Sequence, residues 1–184
     1  MKRLAVSVVG LAALVCVVAC DELLTTAATP IPLGTNSCSV YFSPRGGCTE
    51  AVIRELSQAK TSVLVQAYSF TAKPIAKALV EAHRRGVKVE VILDKSQRTA
   101  NYSSADFVAH GGIPTLIDAK HAIAHNKVII VDGQTVITGS FNFSNAAEES
   151  NAENLLILRD PELARRYTEN WRVHEKHSER YEGR

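Results

Sequence analysis

The chain has 184 residues, 46% hydrophobic and 22% charged, with a formal net charge of +2. This composition excludes a disordered tail, a collagen-like or low-complexity chain, and a strongly basic packaging protein. It suits one domain of ordinary size, long enough to bury a sizeable core.

The apolar residues are unevenly spread. Leu4 to Ala19 carry no charge and follow Lys2 and Arg3. A basic start and a short apolar run read as an export signal over residues 1–20, too short for a typical membrane span. Removing it takes the 21 basic residues to 19, equal to the 19 acidic ones, so the mature chain is neutral. The expected location is the periplasm. Val17-Val18-Ala19-Cys20 is similar to a lipobox, which would make Cys20 a lipidated first residue and a membrane anchor. Ordinary cleavage that leaves Cys20 as a plain thiol fits the same residues, as does an uncleaved anchor. Residues 21–37, rich in Thr, Ala and Pro without periodicity, read as a tether to a folded domain over residues 38–184.

Cys38 and Cys48 are the cysteines of the folded part. In an oxidising compartment they are a candidate disulfide, closing a loop worth roughly 2–3 kcal/mol by the chain-entropy model, with two unpaired thiols as the alternative. Neither CxxC nor HExxH spacing occurs, so neither a metal site nor a cofactor is expected.

In chain order, Val40-Tyr41-Phe42 forms a short strand ended by Pro44 and two glycines. Thr49 is placed to cap a helix that buries Val52, Ile53 and Leu56. Ser62 to Phe70 is an apolar, β-branched run and hence a buried strand. A helix begins near Pro74, buries Ile75, Ala78, Leu79 and Ala82, and stops at Gly86. Val87 to Leu93 is a strand that runs into Asp94. Ser104 to His110 reads as a short helix and Thr115 to Ile117 as a short strand. Lys127 to Val131 and Thr135 to Thr138 are strands joined by the turn signal Asp132-Gly133. Leu155 to Leu158 is a strand, and Asp160-Pro161 opens a last helix carrying Leu163, Tyr167 and Trp171. This order predicts one α/β domain: a mixed β-sheet, parallel in its early strands, flanked by helices.

The stretch that carries chemistry is His125-Asn126-Lys127, then Asp132, then Gly139-Ser140-Phe141-Asn142. His125 and Lys127 alternate along an incipient strand, so their side chains share a face. An imidazole beside an ammonium is a nucleophile or acid next to a phosphate anchor. Gly139 permits a close approach, while Ser140 and Asn142 offer neutral donors. The stretch resembles the phospholipase D superfamily signature HxK(x)4D(x)6GSxN at every fixed position and spacing. The likeness extends over roughly Ser39 to Trp171 and is greatest to the small bacterial phospholipase D-like endonucleases, which carry one motif per chain. The resemblance implies an α/β fold of that family and attack on phosphorus by one histidine to form a phosphohistidine. It further implies leaving-group protonation by a second histidine, and no metal in the reaction.

One chain supplies one such histidine. His174-Glu175-Lys176 begins like a second copy but has Tyr181 where the aspartate belongs, so it reads as solvated charge at a helix end. His121 lacks the lysine, and His83 is followed by two arginines. A two-fold homodimer pairing two copies of His125 is the simplest solution, as in the resembling endonucleases. That resemblance also assigns Glu153 to His125, where a carboxylate on the imidazole would fix its tautomer; a surface glutamate is the alternative. Asp132 belongs to the signature, yet its place in a turn five residues beyond Lys127 suggests support of the hairpin rather than contact with phosphate.

Arg84, Arg85, Lys88, Lys95 and Arg98 could form a polyanion-binding patch or a solvated helix end. Tyr68, Phe70 and Tyr102 could stack on bases or belong to core and rim. Three functions fit. The first is an exported, metal-independent endonuclease hydrolysing DNA, and RNA as a further substrate, without sequence preference. The second is a phospholipid hydrolase, and the third a non-catalytic lipoprotein that binds polyanions. The lack of an apolar lid or amphipathic membrane helix favours the first, and the intact motif disfavours the third.

Overall fold

The computed structural model describes residues 37–184. The expected signal, Cys20 and the tether up to residue 36 lie outside the described residues. Ser37, expected in the tether, already opens a strand.

Eight strands form one sheet: β1 (Ser37–Ser43), β2 (Ser62–Ala67), β3 (Lys88–Asp94), β4 (Thr115–Asp118), β5 (Lys127–Val131), β6 (Thr135–Gly139), β7 (Glu153–Arg159) and β8 (Glu179–Tyr181). Their spatial order is β1-β7-β6-β5-β2-β3-β4-β8. β2, β3 and β4 are parallel, joined by crossovers through α2 (Lys73–Arg84) and α3 (Ala105–His110). β5 returns antiparallel to β2 and starts an antiparallel half made of β6, β7 and β1. The expected mixed sheet, with parallel early strands, is the fold.

Both faces of the sheet are covered, which is why β2 and β5 read as unbroken apolar runs. Val63, Val65, Ile129 and Val131 face the larger core under α1 (Cys48–Gln58), α2 and α3. Leu64, Val128 and Ile130 face a smaller core with Ala164 and Trp171 of α5 (Pro161–Glu175). The Trp171 indole N–H donates to the Val65 carbonyl at 2.9 Å, tying α5 to the central strand.

Local expectations fail where distant groups intervene. Thr49 is not the cap of α1; Gly47 holds that position, with a left-handed φ of 78°. The buried Glu148 carboxylate, from the unanticipated short helix α4 (Asn145–Glu149), accepts the N–H groups of Gly47 and Thr49 at 3.1 and 2.7 Å. An acceptor about 100 residues away thus replaces a local one, serving the orphan donors of a helix start.

The candidate disulfide is absent. Cys38 is exposed and free near the start of β1, while Cys48 is buried and free at the start of α1. Five extended residues from Cys38 to Ser43 span about 16 Å, and a disulfide needs Cα atoms within about 7 Å. Phe70 is core and fully buried, so it is not a base-stacking residue.

Candidate active site

The sheet has two edges made of strand ends, and the motif is divided between them. Lys127 pairs with Ala67 at the C-terminal end of β2, and Val131 with Val63 toward its start. His125 and Lys127 therefore open at the edge where parallel strands of α/β proteins commonly present ligand sites. β6 ends at this edge with Gly139, and β7 begins there with Glu153, itself paired to Ser43 at the end of β1.

His125, Lys127, Gly139, Ser140, Asn142 and Glu153 line one cavity of about 420 Å³. Five of the six expected site residues thus come together, with Gly139 in the wall. A larger cavity of about 1250 Å³, bordered by Tyr102 and Phe107, contains none of them. Tyr102 is 86% exposed and stands away from the motif residues.

His125 is exposed, whereas Lys127 is buried. The Lys127 Nζ donates to the His125 carbonyl at 2.7 Å and lies 3.1 Å from the His125 Nδ1. Burial pulls the ammonium below the ordinary lysine value, while the Glu153 carboxylate pushes it back up. Tyr68 sits beneath both: its ring centroid is 4.5 Å from that of His125 and 5.2 Å from the Lys127 Nζ. It therefore packs against the motif pair rather than standing free for a base.

The expected Glu153–His125 contact is not made within the chain. Lys127, two residues along the same strand face, occupies the Nδ1 side of His125 instead. Asn151 donates to the Glu153 Oε1 at 3.1 Å, and the Glu153 N–H donates to the buried Ser43 hydroxyl. Glu153 contributes to the cavity as a charge facing Lys127.

Gly139 has φ 146°, and a Cβ there would collide with the Asn154 carbonyl oxygen. The close approach lets the Ser140 and Phe141 N–H groups both donate to that carbonyl, at 3.1 and 3.2 Å. The Ser140 hydroxyl oxygen accepts from the Asn154 N–H and Nδ2 at 3.0 and 3.3 Å. With its oxygen so held, the hydroxyl proton is left to donate into the cavity. The Asn142 Oδ1 is buried without a partner, a group that a bound donor could satisfy.

Asp132 lies at the opposite edge. Its carboxylate accepts from the Lys60, Thr61 and Ser62 N–H groups and from the Thr61 hydroxyl, at 2.8–3.2 Å. Asp132 and Gly133 take φ values of 54° and 62°, as a tight primed turn requires. Asp132 shapes the hairpin and does not line the cavity. Burial raises its pKa, but the Ser62, Thr61 and Lys60 N–H groups outweigh that and hold the carboxyl below the ordinary aspartate value.

The basic residues named in the sequence do not converge on the cavity. Arg85 donates to the Leu56 carbonyl at 2.8 Å, Lys88 pairs with Glu90 at 3.2 Å and Arg98 with Glu179 at 2.6 Å. Arg84, Arg85 and Lys88 sit where β3 begins, at the edge away from the site.

Asp94 is a site-supporting residue that the sequence reading did not single out. It is buried at the end of β3, and its Oδ2 accepts the Ala124 N–H at 2.8 Å, one residue before His125. Burial pushes its pKa up, but the Ser96 hydroxyl and the Ser96 and Ala124 N–H groups prevail and lower it. An aspartate ending a parallel strand was the available signal.

Against known proteins, the family model described as cardiolipin synthase, PLD-like domain, matches residues 52–173. The chain belongs to the phospholipase D-like family. It is 42% identical over 139 residues to phospholipase D of Rickettsia typhi, covering 76% of this chain and 68% of that one. It is 30% identical over 154 residues to the mouse mitochondrial cardiolipin hydrolase, covering 84% of this chain and 69% of that one. Among solved structures, the phospholipase D family member Nuc from Salmonella typhimurium superimposes with TM-score 0.77 at 42% identity, covering 79% of this chain and 98% of that one. The chain is accordingly a phospholipase D-like hydrolase of phosphodiesters, and its fold is that of Nuc.

Proposed function

We propose that this phospholipase D-like chain is an exported endonuclease that hydrolyses DNA, and RNA as a further substrate, in a homodimer. The observation that carries the reading is the single open cavity shared by His125, Lys127, Ser140, Asn142 and Glu153. Its lining is polar and offers the Lys127 ammonium to one phosphodiester group. The resemblance of the motif to the small single-motif endonucleases supports a polynucleotide substrate, and the likeness to Nuc spans nearly that whole protein.

In this reading a phosphoryl oxygen takes up the Lys127 ammonium, drawing it from His125, while Ser140 and Asn142 donate to the other oxygens. The His125 imidazole attacks phosphorus, an N–P bond forms, and the P–O bond to the leaving nucleotide breaks. The imidazolium of a second copy's His125 gives its proton to that leaving oxygen. It then takes a proton from water as the water attacks phosphorus and breaks the N–P bond. Each proton and bond is returned, and no step calls on a metal ion. The export signal over residues 1–20, with Cys20 as the lipid anchor, would place this activity in the periplasm, tethered to a membrane.

A phospholipid is the second reading. The Rickettsia relatives are named phospholipase D, and Val40 and Phe42 expose apolar side chains on β1, which ends beside Glu153. Plasmid DNA, single-stranded RNA and phospholipid vesicles offered side by side to wild type and His125→Ala separate the two. EDTA-insensitive cleavage of nucleic acid by wild type alone is expected. Headgroup release without nucleic-acid cleavage would replace the nuclease by the lipase. Mixing His125→Ala chains into wild type should lower activity per wild-type chain, because mixed dimers lack one histidine; undiminished activity would refute a shared site.

A further inference from the structure

Away from the cavity, four side chains from two distant segments converge. Asp118 ends β4 and is fully buried; His121 follows it in the loop toward His125. His174 lies in the last turn of α5, and His177 follows in the turn before β8. His174 and His177 are only 14% and 18% exposed, so the expectation of solvated charge at this helix end does not hold.

The three rings form a nearly equilateral triangle, with centroids 4.9, 5.1 and 5.3 Å apart. One ring nitrogen of each points at a single oxygen, the Asp118 Oδ2: His174 Nδ1 at 2.8 Å, His121 Nδ1 at 2.9 Å and His177 Nε2 at 3.3 Å. The other oxygen of Asp118 already faces the Lys120 and His121 N–H groups and shares the His121 Nδ1, at 3.1 Å, so five donors crowd one carboxylate. Those five donors exceed the roughly four lone pairs of a carboxylate, so hydrogen bonding alone serves this arrangement poorly. A cation among them uses all four groups as lone-pair donors.

We propose that Asp118, His121, His174 and His177 form a structural site for a divalent transition-metal ion, zinc by the ligand set. The four ligand atoms lie within 4.8 Å of one another. Metal–nitrogen and metal–oxygen bonds of about 2.0–2.2 Å place tetrahedral ligands roughly 3.3–3.5 Å apart, so closure needs an inward shift of about 1 Å. His121, 43% exposed on its loop, has the freedom to make it. Three imidazoles and one carboxylate select zinc or its neighbours over the hard ions magnesium and calcium. With four protein ligands the site is closed, as structural zinc sites are.

The ion would fasten the end of α5 to the loop that presents His125. The Lys95 Nζ already holds that loop by donating to the His121 carbonyl at 3.1 Å, and Asp94 holds it at Ala124. None of the four ligands lines the catalytic cavity. The ion is a strut outside the reaction, and the inference holds for whichever phosphodiester is the substrate.

The test uses the chain purified without a polyhistidine tag, stripped with chelator and offered zinc or cobalt(II). Metal analysis should give one ion per chain, cobalt should give the intense visible bands of a tetrahedral site, and zinc at a hundredfold excess over its Kd should raise Tm by about 5–10 °C. His174→Ala and Asp118→Asn should lose the ion. Because Asp118→Asn could fail to fold, the more exposed His121→Ala serves as the second variant and should bind at least tenfold more weakly. His125→Ala should retain the ion. Absence of stoichiometric metal in wild type, with a Tm indifferent to zinc, would overturn the proposal. So would undiminished binding in His121→Ala and His174→Ala. None of these readouts depends on substrate turnover.

Discussion

Replacing Asp132 separates its place in the signature from its place in the structure. Its carboxylate serves three backbone N–H groups and one hydroxyl from residues 60–62. In Asp132→Ala those donors turn to water, at a cost of roughly 0.5–1 kcal/mol each for partly exposed groups. Alanine adds about 1 kcal/mol at the left-handed φ of 54°, which aspartate tolerates better. The sum is about 3–5 kcal/mol, or a fall in Tm of roughly 10–15 °C for a domain of this size. Five residue steps of about 3.3 Å each separate Asp132 from Lys127, so kcat in the folded protein should stay within about twofold. Asp132→Asn, which keeps one oxygen and the turn, should lose about 1 kcal/mol. The sign with pH follows from the lowered pKa: the stabilisation is full above the ordinary aspartate value and is lost as pH falls through the lower, folded value. Thermal unfolding of wild type and both variants from neutral pH into acid, paired with kcat at a temperature where each is folded, measures all of this. A hundredfold loss of kcat with unchanged Tm would refute the reasoning and return Asp132 to the chemistry.

Gly139→Ala should lower kcat by at least tenfold and Tm by several degrees, because its Cβ would drive the Asn154 carbonyl from Ser140 and Phe141. Activity with unchanged Tm would contradict that. Asp94→Asn, which presents an NH2 group to one of the N–H groups now served, should cut kcat severalfold while leaving secondary structure intact; circular dichroism and steady-state kinetics check both. Cys38 should react with a thiol reagent in the native protein, and Cys48 only on unfolding. Burial, with Glu148 and Glu50 nearby, pushes the Cys48 thiol up to about 11. Equal Tm with and without reductant is expected, and a large reductant-dependent fall would restore the disulfide.

Much of this protein was legible along the chain. The apolar runs at residues 62–67 and 127–131 declared buried strands because a doubly covered sheet leaves no polar alternation. The spacing from His125 to Asn142 declared the chemistry, since a strand, a three-residue connection and a returning strand bring those positions to one edge. Local sequence also placed Asp132 in a turn and so away from phosphate. What it could not supply were partners set by tertiary approach. Glu148 caps a helix about 100 residues earlier, and Asp94 holds the residue before His125 from 30 residues away. Lys127 rather than Glu153 meets the His125 Nδ1, because burial leaves the ammonium few acceptors within reach. His121, His174 and His177 show the limit most plainly. Each sits in an i, i+3 pair along the chain, Asp118 with His121 and His174 with His177. Either pair alone is an ordinary helix or turn feature. Only the packing of α5 across the sheet lays one pair on the other, because convergence in space depends on the fold and not on spacing along the chain.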